Sequence, residues 1–253
     1  MKKVLCMFCL SAVLSLSSAY GAEFGLRAYY WFPTLSGHIR VDEDVILGTK
    51  LDLVDDLGID NESFTVGEIF AGFGGHHIAF AFSQAEYKGR NVLDRDINFN
   101  GVTYQGTDTI TSNLRYTTYD LMYQYDLMNL ENVLAGFSLG LVGRVKVLDG
   151  SVRLQSATTG LEESKDFIAP IPMLGLNLHV GLIADLLEAR ALGTGIGYSD
   201  AKVFDGQAEV SLTPLPFLGI HGGYRIFFID VNRDDVDFNY DTSGPYLGVT
   251  VKF

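Results

Sequence analysis

Residues 77–90 read HIAFAFSQAEYKGR, residues 111–126 read TSNLRYTTYDLMYQYD, and Asn100-Gly101 lies between them. Asn-Gly is the favoured pair for a two-residue hairpin turn, because both central positions need positive φ. Folding the chain there pairs Phe99 with Val102 and carries on to Glu86 opposite Arg115. Further down, Phe82 meets Tyr119, Phe80 meets Leu121 and Ile78 meets Tyr123, all apolar and on one face. The other face pairs Ser83 with Thr118, Ala81 with Asp120 and His77 with Gln124. A slip of one residue would scramble both faces, so the register is strongly specified. A second turn, expected at Gly75-His76, pairs Ile69 with Phe82, Ala71 with Phe80 and Phe73 with Ile78, and sets Glu68 beside Ser83. Both turns put Phe80 and Phe82 on the same outer face and Asp120 and Glu68 on the inner one.

The same period of two runs outward from this hairpin. Phe24, Leu26, Ala28, Tyr30 and Phe32 alternate with Gly25, Arg27, Tyr29 and Trp31. Val133 to Leu141, Leu174 to Val180 and Leu218 to Ile226 repeat the pattern. The apolar face is continuous. The other face is glycine, serine and isolated charges, where a soluble sandwich would carry Lys, Glu and Thr in quantity. Small and sparsely charged residues suit the crowded interior of a membrane barrel with lipid outside. The expected fold is therefore all-β, an antiparallel up-and-down transmembrane barrel of about ten strands: 23–33, 64–74, 77–90, 111–126, 133–146, 167–182, 188–199, 203–213, 217–230 and 244–253. Eight or twelve are the neighbouring solutions. LIADLLEARAL (182–192) also reads as a short helix, and HIRV against KLDLV within 38–54 reads as an extra hairpin. Long loops are expected at 34–63, 91–110, 147–166 and 231–243, alternating with short turns, which is the habit of outer-membrane barrels.

Composition agrees. Glycine is 28 of 253 residues and aromatics are 12%, while mean hydropathy is +0.18; such apolar content excludes a disordered chain. The net charge of −13 argues against a nucleic-acid partner, which would want clustered Lys and Arg. At the N-terminus, Lys2 and Lys3 precede an apolar run from Val4 to Leu16, and Ala19-Tyr20-Gly21 offers small residues for cleavage after Gly21, the form of a secretory signal peptide. Residues 1–21 are thus read as the signal and 22–253 as the barrel domain. Cys6 and Cys9, the only cysteines, leave with the signal, so the mature chain forms no internal disulfide.

The last ten residues, GPYLGVTVKF (244–253), place Leu247, Val249 and Val251 six, four and two positions before a terminal aromatic, Phe253. This strand resembles the C-terminal strand of bacterial outer-membrane β-barrels. The resemblance implies the fold, an outer-membrane location in contact with lipid and lipopolysaccharide, and recognition of Leu247, Val249, Val251 and Phe253 by the barrel assembly machinery; it implies no activity. Omptin-type proteases are ten-stranded barrels too, but no Asp-Asp and His-Asp arrangement is carried over onto this chain.

Inside such a barrel, charges must pair, because an isolated buried ion costs several kcal/mol. Arg27, Glu68, Asp120, Arg144, Lys146, Glu209, Arg225 and Lys252 face the lumen on this register, with His221 and His179. A turn at 213–217 pairs Glu209 with His221 and Asp205 with Arg225. The expected role of this set is a polar network that plugs the barrel. His221, Glu209 and Ser211 form the nearest set for acyl transfer, but Ser211 stands one layer from where it would be needed. Gly193, Gly195 and Gly197, with Ala189 and Ala191, lack the spacing and following helix of a nucleotide loop and are read as small residues that leave room inside. Asp235, Asp237, Asn239 and Asp241 share a strand face that could gather a cation, though no glycine supplies a calcium-loop turn; no cofactor and no metal are expected. Pro170 and Pro172 withhold two N–H groups from the same neighbour. The reading is that pairing ends there above the membrane; a lateral port is the alternative. The expected function is that of a non-catalytic membrane barrel, structural or interacting through its acidic loops. A narrow solute or lipid conduit is the first alternative and a lipid- or peptide-hydrolysing enzyme the second.

Overall fold

The computed structural model describes residues 22–42, 47–130, 136–183, 186–233 and 236–253. The expected signal peptide, residues 1–21, and the segment Val133–Ala135 lie outside the described residues. Fourteen strands are described: β1 (Ala22–Trp31), β2 (Thr34–Val41), β3 (Leu51–Asp52), β4 (Phe64–Phe73), β5 (His76–Val92), β6 (Ile97–Phe99), β7 (Val102–Tyr104), β8 (Thr109–Leu130), β9 (Phe137–Ser156), β10 (Glu162–Ile183), β11 (Leu187–Tyr198), β12 (Ala201–Leu215), β13 (Leu218–Arg233) and β14 (Val236–Lys252). Ten of them, β1-β4-β5-β8-β9-β10-β11-β12-β13-β14, pair in that order, and β14 pairs back onto β1 to close the barrel. Every neighbouring pair is antiparallel.

The Asn100-Gly101 register holds from the turn to the far end of the hairpin. Phe99 pairs with Val102, Glu86 with Arg115, Phe80 with Leu121 and His77 with Gln124. Asn100 and Gly101 both take positive φ, 49° and 80°, as the turn demands. The other two turns differ from expectation by one position each. The β4–β5 turn lies at Gly74-Gly75, with Gly74 at φ 57°, so Ile69 pairs with Phe80 and Glu68 with Ala81, not with Phe82 and Ser83. In β12–β13, Glu209 pairs with Gly223 and Asp205 with Phe227, not with His221 and Arg225. Both shifts are of two residues, which preserves the facing of every side chain.

Other expectations are corrected. Residues 182–183 and 187–192 are strand, not helix. The extra hairpin does form, as β2 with β3, but β2 lies against the upper part of β14 and adds nothing to the barrel count. The spans 147–166 and 231–243 are mostly strand, because β9, β10, β13 and β14 run on past the apolar belt. The glycine face of β11 points outward. Leu176 pairs with Gly193 and Leu178 with Ala191 on the outer face, which leaves Glu188, Arg190 and Thr194 on the inner one. Room inside comes from other glycines: a Cβ on Gly223 would stand 2.8 Å from the Tyr246 hydroxyl, and one on Gly248 2.6 Å from His221 Nε2.

Phe80, Phe82, Tyr119 and Leu121 are exposed, at 40–48%, while Asp120 is 5% exposed. Ile69, Leu141, Leu176, Ile220, Leu247 and Val249 continue this belt around the barrel. Above it the outward side chains turn polar, as in Gln84, Glu86, Lys88 and Arg90 on β5. At the long-loop end the interior is apolar. Leu51, Leu53, Leu57, Ile97, Phe99, Tyr104, Ile110, Leu114 and Leu154 are all at most 2% exposed and belong to one buried cluster. Loops 47–61 and 93–108 fold inward over the mouth. Ile59 bridges to Gly89, where a Cβ would lie 2.4 Å from the Leu57 carbonyl oxygen. Thr49 and Asn98 hydrogen-bond backbone to backbone at 2.8 Å, which ties one loop to the other.

Candidate functional site

The lumen is organised in layers. At mid-height, Asp120 on β8 and Asp205 on β12 hold Arg144 and Lys146 of β9 and Arg225 of β13. Arg144 donates to Asp120 at 2.8 Å through Nε and lies 3.2 Å from Asp205. Lys146 bonds Asp120 and stands 3.2 Å from Asp205. Arg225 clasps Asp205 through Nε at 3.2 Å and Nη2 at 2.7 Å, and its Nη1 donates to the Tyr29 hydroxyl at 2.9 Å. Asp205 thus touches all three cations. Above this layer, Arg225 lies 4.8 Å over the Trp31 ring and Lys146 5.3 Å over Phe227, and the hydroxyls of Tyr87 and Tyr116 meet that of Tyr240 at 3.3 and 2.6 Å.

Below it, Tyr29 packs on Tyr246 with ring centroids 4.8 Å apart. Tyr246 donates to Glu209 at 2.8 Å. Arg27 lies 3.1 Å from Glu209 and 4.0 Å from Glu68, and His221 Nε2 is 4.0 Å from Glu209. The structure therefore places Arg27, Glu68, Asp120, Arg144, Glu209, His221 and Arg225 inside, in two connected groups. Reading the sequence missed Glu188 and Arg190 as lumen groups, since the strand face of β11 was assigned the wrong way round. The signal was present: charges on one face and glycines on the other put the charges inside, away from lipid.

His221, Glu209 and Ser211 do come together, but not as an acyl-transfer set. Ser211 Oγ donates to Glu209 at 3.3 Å, and His221 Nδ1 shares a proton with Thr250 Oγ1 at 3.1 Å. Serine bonds the acid and histidine bonds Thr250, whereas nucleophilic activation needs serine and histidine to address one another.

At the short-turn end a cavity of about 490 Å³ reaches from Glu23 and Lys252 at its mouth up to Arg27 and Glu209. At the other end, Asp237 accepts from His38 at 3.0 Å and Lys50 at 3.2 Å, so side-chain donors already occupy the carboxylate considered for a cation. Asp241 pairs with Ser36 in the ladder, and Asp235 lies outside the described residues. Among the described residues no group of three metal-ligating side chains is gathered. Pairing of β10 with β11 stops at Leu174–Gly195, two residues before Pro172, so both prolines stand on an edge unpaired toward β11 while facing Val147 and Val145 of β9.

Partial burial works against the Asp237 carboxylate, but the hydrogen bonds from His38 and Lys50 outweigh it and hold its pKa below the ordinary value. A depressed folded pKa contributes stability above the unfolded value and loses it as pH falls through the folded one. Amide exchange in β2, corrected for its intrinsic pH dependence, should stay slow near neutrality and speed up on acidification through that range. Protection unchanged in acid would show that Asp237 does not hold β2 in place.

No protein-family model matches the chain, and no curated protein matches it. Solved structures do. The outer membrane protease OmpT from Escherichia coli superposes with a TM-score of 0.58 at 11% identity, over 91% of this chain and 97% of that one. The translocator domain of the autotransporter NalP from Neisseria meningitidis has a TM-score of 0.43 at 11% identity over 100% and 96%. Ail, the attachment invasion locus protein of Yersinia pestis, has 0.39 at 16% identity over 92% and 99%. The chain has the closed ten-stranded fold of a bacterial outer-membrane β-barrel. At these identities the likeness speaks to fold alone.

Proposed function

We propose that the chain is exported, loses residues 1–21, inserts in the outer membrane and works without catalysis through its long-loop end, as a structural or interaction protein. One observation carries this reading. The lumen is filled by paired charges at mid-height and sealed above by a buried apolar layer, so the outward surfaces are what remains to meet a partner. The belt around Phe80, Leu121, Leu176 and Leu247 faces outer-leaflet lipid and lipopolysaccharide. Above it, exposed Asp55, Asp60, Glu62, Asp94, Asp96 and Glu162 sit on a rigid base of interlocked loops. Such a rim repels bare phosphates unless cations bridge them.

Fractionation and mass spectrometry test the proposal. The protein should appear in the outer-membrane fraction, begin at Ala22 and migrate as a heat-modifiable barrel. Recovery in the cytoplasm with Met1 retained would overturn it, as would turnover of peptide or lipid esters that His221→Ala abolishes. Deleting Phe253 should cut the amount of assembled barrel several-fold, since the terminal aromatic is the expected signal to the assembly machinery; assembly at the full level would remove that role.

A further inference from the structure

The charges around the short-turn cavity nearly all satisfy one another. Lys252 pairs with Glu23 at 3.1 Å, His77 with Asp126 at 3.0 Å, His179 with Glu188 at 3.5 Å and Arg27 with Glu209 at 3.1 Å. Arg190 acts on Glu209 through charge but without a contact. Its partner across the ladder is Glu209, but both oxygens of that carboxylate are taken. Oε1 receives Ser211 at 3.3 Å and Arg27 at 3.1 Å; Oε2 receives Arg27 at 3.3 Å and Tyr246 at 2.8 Å. Arg190 Nε is buried without an acceptor. Among the described residues no carboxylate oxygen lies within the 4.0 Å of an ion pair from its guanidinium. Both Arg190 and Asn177 line the cavity.

Asn177 supplies the complementary vacancy. It is 7% exposed; its Nδ2 donates to Gln124 at 2.8 Å, and its Oδ1 has no donor. Asn177 pairs with Leu192 and His179 with Arg190, so Asn177 and Arg190 are diagonal neighbours, about 7–8 Å apart along the wall and within reach of long side chains. One wall therefore carries a planar cationic fork and, buried beside it, a carbonyl oxygen without a donor. A carboxylate with an N–H close to it satisfies both. The lining as a whole carries Glu23, Glu68, Asp126, Glu188 and Glu209 against Arg27, Arg190 and Lys252, an excess of acid that repels polyanions such as phosphate and favours a group with its own positive charge. The volume of about 490 Å³ falls within the usual range for small-molecule sites, about 300–1,000 Å³.

We propose that this cavity is a binding site for a small zwitterionic solute of amino-acid type, a free amino acid or a short peptide, with Arg190 holding its carboxylate and Asn177 its N–H. Arg27 and Glu209, the latter held by Tyr246, close its inner end and make it a site of capture from the short-turn side and not of passage. It depends on no role of the loops.

Titration of the mature protein in detergent with alanylalanine, followed by calorimetry, tests it. Saturable binding with a Kd of about 1 mM or tighter is expected. Arg190→Gln should weaken it at least about tenfold, the loss of a charge-assisted pair of hydrogen bonds, and the C-amidated dipeptide should bind no better to the unaltered protein than to that variant. Alanine in place of the dipeptide separates a free amino acid from a peptide as the preferred solute. Absence of saturable binding by both, equal affinity in Arg190→Gln, or tighter binding of inorganic phosphate than of alanylalanine would overturn the proposal. Should Arg190→Gln fail to give a heat-modifiable barrel, Asn177→Leu serves instead, with weaker alanylalanine binding expected and unchanged binding counting against the site.

Discussion

Asp205→Ala should destabilise the folded barrel by about 3–5 kcal/mol, the cost of leaving buried charge without its partner. Asp205 is 1% exposed and lies against Arg144, Lys146 and Arg225. Its removal leaves three cations facing Asp120 alone, in a layer walled by Trp31, Phe227 and Tyr29 that offers little other compensation. Urea unfolding in lipid or detergent, read by the change in electrophoretic mobility, measures the loss. The paired exchange Asp205→Leu with Arg225→Met should recover much of it, because apolar replacement of both partners removes the unpaired ion as well as the pair. A loss under about 1 kcal/mol in Asp205→Ala would put these contacts in the class of surface ion pairs and remove the network as a determinant of stability.

That network also shows how far the sequence could be read. Parity along a strand is legible from the residues, because charge and lipid exclude one another. Asp120, Arg144 and Arg225 were therefore placeable inside from their neighbours Leu121, Val145 and Ile226. Register is legible only where a turn announces itself. Asn100-Gly101 fixes seventeen pairs between β5 and β8, whereas Gly74-Gly75-His76 and the Thr213–Phe217 connection allow two solutions that differ by two residues and keep the same facing. The charges of β12 and β13 are joined diagonally, Asp205 to Arg225, and no cross-strand rule anticipates that Asp205 gathers three cations from two other strands. On β11 the glycines drew the eye to the wrong face; Glu188 and Arg190 on the alternate positions were the better guide. The apolar cap was illegible for another reason. Leu57 and Leu93 stand among acidic and turn residues without a period, Leu51 and Leu53 alternate over too few residues to show what they face, and the burial of all four follows from two loops folding onto the barrel's own inner face.

In planar bilayers the purified protein should give no large, steady conductance. A barrel of eight strands is already filled by side chains, and ten strands add space that Tyr29, Arg144, Lys146, Arg225 and Tyr246 occupy. Two seals stand in series: the ion network at mid-height and the apolar cap of Leu51, Leu57, Ile97 and Phe99 above it. Opening one leaves the other shut. Deleting residues 49–57 removes much of the cap but keeps every ion pair of the network, so current should stay near background. Changing Asp120, Arg144, Asp205 and Arg225 together to serine wets the middle of the barrel but leaves the cap, and current should again stay low. Only the combined variant joins the cavity of the short-turn end to the opposite side, and only it should conduct. Porin-like steps from the unaltered protein would show that neither layer seals, and would turn the reading from a closed barrel to a conduit. Steady current from the loop deletion alone would locate the barrier in the cap and deny it to the charges.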